Sequence, residues 1–191
     1  MTMASFTIKP SLISCFVLIF LSFASSSNAS NKVVDVNVIC KQTTNPSFCL
    51  NILNSKPGGA KGEDLITLEQ YTLDVVRGNI TTALTLIKSL IAQSGKDPKT
   101  KASYEQCLLY YGGDDDNNGA LDNILYAQEL LKTGDYLGVG IAAAAAITNV
   151  ADCSSEDNPS FDKSNLPKYS DFIVKAAGVI VIISKLLLNK Q

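Results

Sequence analysis

The sequence predicts an all-α protein, an up-down-up-down four-helix bundle preceded by a helical hairpin and held by two disulfides. Three observations carry that prediction. Apolar residues recur every three or four places along four long segments. Glycine, proline and acidic clusters punctuate those segments at short intervals. Finally, Cys40, Cys49, Cys107 and Cys153 follow an apolar leader that itself contains Cys15. An even cysteine count downstream of an export signal points to a disulfide framework.

The leader comes first. Residues Leu12 to Ala24 form its apolar core, preceded by Lys9 and followed by a serine-rich stretch. Ser27 and Ala29 place small residues three and one before a cut, so residues 1–29 are expected to be a signal peptide and 30–191 one domain. The apolar run is shorter than the roughly 20 residues a bilayer span requires, which argues against a membrane anchor. Cys15 then leaves with the leader, and the product enters an oxidising compartment. About 160 residues remain, enough for one core and too few for two.

Composition narrows the function. Beyond the leader stand 15 Lys and Arg against 18 Asp and Glu, with no basic footprint for nucleic acid. The chain has no histidine, which removes a His-assisted nucleophile and the commonest ligand of catalytic zinc or copper. Paired cysteines would remove thiolate chemistry too. Binding is favoured over catalysis, and no cofactor or metal is implied.

The hairpin is expected over about 33–55. Val33 to Thr43 and Pro46 to Leu53 read as short helices joined at Thr44-Asn45, with Asn45 capping the second and Pro46 at its first position. The bundle follows over about 64–190. From Asp64 to Gln93, Leu65, Leu68, Val76, Ile80, Ala83, Leu84, Ile87, Leu90 and Ile91 share one helical face. Ser94-Gly95 stops that helix, and Asp97-Pro98 caps and starts the next, which carries Tyr104, Cys107, Leu108 and Tyr111. The run Gly112 to Gly119 must break or bulge it. Periodicity resumes at Leu121, Ile124, Leu125 and Leu131, and Gly134-Asp135 ends this segment and caps another. There Tyr136, Val139, Ala143, Ile147 and Val150 mark the face, and Ala142 to Ala146 are small enough for close helix approach. After a polar loop, Ile173, Ala176, Ala177, Ile180, Ile183 and Leu187 form the last stripe. Its β-branched run Val179 to Ile183 has no strand partner and is read as helix. Lys175 and Lys185 interrupt the segment, against a cleaved lipid-anchor tail.

Four cysteines allow three connectivities, and spacing alone does not choose among them. A local bridge between Cys40 and Cys49 would staple the hairpin, leaving Cys107 and Cys153 to join the second and third bundle helices. Asp114, Asp116, Asn118 and Gly119 match positions one, three, five and six of an EF-hand loop, but position twelve is Leu125 instead of a bidentate glutamate. A solvated loop is therefore preferred to a calcium site. Asn79-Ile80-Thr81 is an intact glycosylation sequon, open to being either a glycan acceptor or an unmodified asparagine.

The segment Ile39-Cys40-Lys41-Gln42-Thr43-Thr44-Asn45-Pro46-Ser47-Phe48-Cys49 resembles the opening motif of the plant invertase and pectin methylesterase inhibitor family. Asp97-Pro98-Lys99, Tyr104-Glu105-Gln106-Cys107 with Tyr111, Thr133-Gly134-Asp135-Tyr136, Ala143 to Ala145, and Cys153 follow in that family's order. The resemblance implies a four-helix bundle with an N-terminal hairpin, bridges of Cys40 to Cys49 and Cys107 to Cys153, and no catalysis. It also implies secretion to the apoplast or delivery to the vacuole, and a one-to-one complex over the active-site region of a plant cell-wall enzyme.

The hairpin motif and the segment holding Lys101, Tyr104 and Glu105 look more like pectin methylesterase inhibitors, and these three residues are expected at the interface. Tyr104 is equally readable as a bundle residue. Two departures stand out: the stretch between Tyr111 and Ala120 is longer and more acidic than the family's continuous helix, and Asp152 stands where such inhibitors often place threonine near the enzyme. Pro167-Lys168-Tyr169 is similar to a Pro-Lys-Phe tripeptide of invertase inhibitors, which makes Lys168 the marker of that alternative, although a proline-led helix start explains it more simply. A bundle with no inhibitory target, or one carrying a small apolar ligand between its helices, is the reading from another class.

Overall fold

Every helix needs partners for the free amides of its first turn, and here side chains just ahead of most helices supply them. The computed structural model describes residues 34–95, 97–115, 118–154 and 164–190. The leader, and Asp116 of the EF-hand-like pattern, lie outside the described residues. Asp35 caps α1 (Val36–Cys40) through Asn37 N at 2.9 Å, and Asn45 caps α2 (Pro46–Asn54) through Phe48 N at 3.1 Å. Asp64 receives Thr67 N at 2.8 Å at the start of α3 (Leu65–Gln93). Asp97 receives Lys99 N and Thr100 N at the start of α4 (Pro98–Gly112). Helix α5 (Ala120–Thr133) starts differently: Gly119 N donates to Asp122 Oδ2 at 3.0 Å. Gly134, at φ +77°, ends α5 in the left-handed region where glycine is favoured, and Asp135 caps α6 (Tyr136–Cys153) through Gly138 N. In α7 (Leu166–Leu188) Leu166 N donates to Ser164 Oγ.

Two boundaries differ from expectation. The first hairpin helix is shorter than 33–43, because the Thr43 hydroxyl turns back to donate to Cys40 O at 2.8 Å beyond its end. The last helix begins at Leu166, ahead of its first expected stripe residue, and Val179 to Ile183 are helical as expected.

The helices form four rods. Helix α3 is one, α4 with α5 the second, α6 the third and α7 the fourth. Both members of the second rod pack along α3: Gly112 lies against Leu84, while Gln128 Nε2 donates to Asp74 Oδ1 at 2.8 Å. Because later residues of the second rod meet earlier residues of α3, the two run antiparallel. The bond between Ser184 and Glu69 joins the end of α7 to the start of α3, so that pair is antiparallel too. The α6–α7 seam is built on small side chains, with Ala142, Ala143 and Ala146 buried and the Cβ position of Gly140 only 3.4 Å from Ser184 Cβ. Helices α3 and α6 have the length and hydropathy to cross a bilayer, and here their apolar stripes face the other rods.

The hairpin lies against this bundle. Phe48 meets Phe172 of α7 edge to face at 5.3 Å between centroids, and Ser55 bonds Tyr71 of α3 at 2.9 Å. Cys40 is bonded to Cys49, with Cα atoms 5.4 Å apart, and Cys107 to Cys153, with Cα atoms 4.8 Å apart. All four cysteines are buried.

Loop closure separates the two bridges energetically. With sequence separations of 9 and 46, chain entropy assigns about 2–3 kcal/mol to the hairpin bridge and about 4 kcal/mol to the bundle bridge. Paired serine substitutions should reproduce that ranking in urea unfolding, the Cys107/Cys153 double variant losing more than the Cys40/Cys49 one.

Candidate functional site

Helix α3 ends, α4 begins, α6 ends and α7 begins at one end of the bundle, and the residues expected to meet a partner lie there. On α4, Lys101 Nζ stands 3.6 Å from Glu105 Oε1, one helical turn apart, and both side chains are about half exposed. Asp152 is exposed beside the bridge residue Cys153, as is Lys168 in the first turn of α7, where its Nζ donates to Asn165 Oδ1 at 3.1 Å. The exposed part of the site is thus a set of charges on helices of fixed register.

Tyr104 does not join them. It is 5% exposed, so its ring packs in the core, as the bundle reading of Tyr104 expects. Tyr104, Cys107 and Tyr111, spaced three and four apart, form the buried face of α4, while Lys101 and Glu105 lie at its exposed flank. The Tyr111 hydroxyl bonds Ser170 of α7 at 2.8 Å in the interior, and burial pushes its pKa up to about 12. That contact anchors the first turns of α7, and Lys168 with them. Hydrogen bonds from the Thr100 side chain and amide, then from Lys99 N, hold the Asp97 carboxyl below its ordinary range.

Between α4 and α5 the described residues 113–115 and 118–119 are non-helical. A Cβ at Gly119 would fall 2.1 Å from Gly113 N and 2.6 Å from Gly112 C, so the backbone closes on itself at the base of the loop. Asn149 of α6 reinforces the closure by donating Nδ2 to Asn118 O at 2.8 Å. Asp114 and Asp115 are exposed. Leu125, at EF-hand position twelve, lies within α5. Among the described residues no three of His, Cys, Asp and Glu gather as a metal site requires.

Asn79 is half-buried, and its Nδ2 donates to Val75 O at 2.8 Å. The nitrogen a glycan would modify is therefore engaged in the folded helix. At the opposite end of the bundle an open groove of about 540 Å³ is lined by residues including Lys56, Ile66, Tyr71, Leu131 and Lys132. Its lysines are already paired, Lys56 with Glu63 and Lys132 with Glu129, each at 2.7 Å.

Comparison with known proteins agrees with this architecture over nearly the whole chain. Residues 34–173 match the family model described as plant invertase/pectin methylesterase inhibitor. The chain is 31% identical over 175 residues to a pectinesterase inhibitor of Actinidia deliciosa, covering 90% of this chain and 89% of that protein. It is likewise 31% identical to pectinesterase inhibitor 1 of Arabidopsis thaliana, over 89% of this chain and 91% of the other. Among solved structures, mutant form A of a pectin methylesterase inhibitor from Arabidopsis superposes with a TM-score of 0.66 at 30% identity, covering 79% of this chain and 95% of that one.

The loop base yields a paired prediction. Gly119→Ala drives a methyl group into the Gly112–Gly113 backbone and should cost about 1–3 kcal/mol. Gly78→Ala, in open space on α3, should stabilise by about 0.5–1 kcal/mol. Thermal melts of the two variants should shift in opposite directions.

Proposed function

The chain belongs to the plant invertase/pectin methylesterase inhibitor family, and we propose that it is a secreted inhibitor of pectin methylesterase. It acts by forming a one-to-one complex over the enzyme's active-site region and is not itself an enzyme. The observation that carries this reading is the near full-length likeness to two proteins named as pectinesterase inhibitors. The lack of histidine and the oxidised state of Cys40, Cys49, Cys107 and Cys153 support a binding role. The same bridges support export under a signal peptide of residues 1–29 to the apoplast, since disulfides persist in oxidising compartments.

Inhibition here is a matter of presenting a rigid surface. The Cys107–Cys153 bond holds α4 against α6, so their exposed flanks lose little conformational entropy on docking. Lys101, Glu105 and Asp152 supply charge on those flanks, which steers encounter and penalises a wrong partner. Nothing in this reading requires a cofactor, nucleic acid or membrane. An invertase target rests on Pro167-Lys168-Tyr169, and Pro167 sits in the first turn of α7 as a helix-starting proline would.

Titration of the oxidised protein into plant pectin methylesterase should plateau near one inhibitor per enzyme. Lys101→Ala and Asp152→Ala should each weaken inhibition by roughly fivefold or more, as truncation of a contributing interface residue does. Lys168→Ala should leave inhibition nearly intact, with unchanged helicity in all three. Loss confined to Lys168→Ala, seen with an invertase, would move the assignment to that enzyme. Failure to inhibit either, with a small molecule retained in native mass spectra, would favour the carrier.

A further inference from the structure

We propose that Glu69 is a proton-coupled lock: the bundle folds around its neutral carboxylic acid, and rising pH loosens the α3–α7 seam by ionising it. Glu69 lies in the second turn of α3 and is 0% exposed. One carboxyl oxygen, Oε1, shares a short hydrogen bond of 2.5 Å with Ser184 Oγ of α7, itself 2% exposed. The other, Oε2, is buried with no hydrogen-bond partner among the described residues. A carboxylate in that position would leave a charged oxygen unsolvated, which proteins avoid by keeping the proton. Ser184 Oγ donates to Oε1, and in the neutral acid Oε1 accepts that bond as the carbonyl oxygen while Oε2 keeps the proton and is far cheaper to leave unpaired than an ionised oxygen.

Among the described residues no charged neighbour rescues the ionised form. On α7, Lys185 follows Ser184 but is exposed. On α6, whose Gly140 backs Ser184, no Asp, Glu, Lys or Arg occurs between Asp135 and Asp152. On α5, Glu129 and Lys132 pair with each other on the surface. On α3 itself, Asp74 and Arg77 are exposed and tied to Gln128 of α5. Towards the hairpin, Glu63 pairs with Lys56. Burial accordingly raises the Glu69 pKa well above its ordinary 4.5, with Ser184 opposing by a smaller amount.

The sign follows from proton linkage. The folded state holds a proton that the unfolded chain releases above about pH 4.5. The contribution of Glu69 to stability is therefore fully present below that pH. It is lost as pH rises towards the folded-state pKa, at up to about tenfold in the folding constant per pH unit. The surface carboxyls behave oppositely: the Asp35 and Asp97 carboxyls, held below their ordinary range by hydrogen bonds, favour the fold only once they are ionised. An inhibitor built this way is firmest in mildly acidic surroundings.

Urea unfolding of the full domain from pH 5 to 8, for wild type and Glu69→Gln, isolates this one proton from all others. The ratio of the two folding constants should fall with pH in the wild type's disfavour, approaching tenfold per unit. Infrared spectra of the wild-type protein give a second readout that does not depend on a variant folding: a protonated carboxylic C=O band should persist at neutral pH. That band should shift in Ser184→Ala, which removes its hydrogen-bond partner. Superimposable pH profiles, or no protonated carboxyl band at neutral pH, would overturn the proposal. Neither result bears on which enzyme is inhibited, so the lock and the proposed function stand or fall separately.

Discussion

The covalent bond between Cys107 and Cys153 is the constraint on which the exposed end of the bundle depends. It joins α4 to α6 within 4.8 Å at their Cα atoms, and because both helices are rigid it sets their register over several turns. Nearby, Asn149 reaches Asn118 and closes the base of the acidic loop. One turn beyond Cys107 on α4, Tyr111 crosses the core to Ser170 and places the start of α7. Lys101, Glu105, Asp152 and Lys168 inherit their positions from this arrangement. Their own surface contacts contribute little, since exposed ion pairs are typically worth less than about 1 kcal/mol.

The second rod is interrupted between Gly112, where α4 ends, and Ala120, where α5 begins. A helix whose hydrogen-bond ladder is interrupted must satisfy the freed groups elsewhere. Here Gly113 N donates to Leu109 O at one side, Gly119 N donates to Asp122 at the other, and the glycine pair brings the two ends into backbone contact. Both α4 and α5 then keep their apolar faces on α3 and α6. The acidic residues Asp114 and Asp115 remain in water, where their mutual repulsion is screened. The interruption between α4 and α5 therefore leaves both apolar faces packed, with Asp114 and Asp115 at the surface.

Polar side chains inside the bundle select one packing among those an all-apolar seam would allow. Glu69 with Ser184, Gln128 with Asp74 and Arg77, and Tyr111 with Ser170 each join two different helices. Sliding any of these pairs by one turn would strand a buried polar group, at a cost of about 1–3 kcal/mol. The small residues of α6 otherwise offer a smooth seam with little to resist such a slide. Hydrogen bonds supply the register that alanines and glycines cannot.

Much of this fold was legible from the chain alone, because backbone chemistry at helix ends is local. Asn45, Asp64, Asp97 and Asp135 cap within three residues, and the break at 112–119 follows from glycine and like charge in one short run. All six residues of the last expected stripe are buried in α7. Less legible were the residues whose fate depends on a partner helix. Leu125 fits the apolar period of α5 and is 40% exposed, while Glu69, Thr72, Gln128, Ser170 and Ser184 are polar and buried. Periodicity assigns polar residues to solvent, and only the arrival of a second helix with a matching hydroxyl or amide reverses that assignment. Tyr104 was undecided for the same reason, since an amphipathic ring suits core and interface alike until its neighbours are placed. The chain by itself determined where helices start, stop and break. Which polar groups pair across the seams, and which face of each helix meets water, was decided only by tertiary packing, because burial belongs to a pair of surfaces and never to one residue.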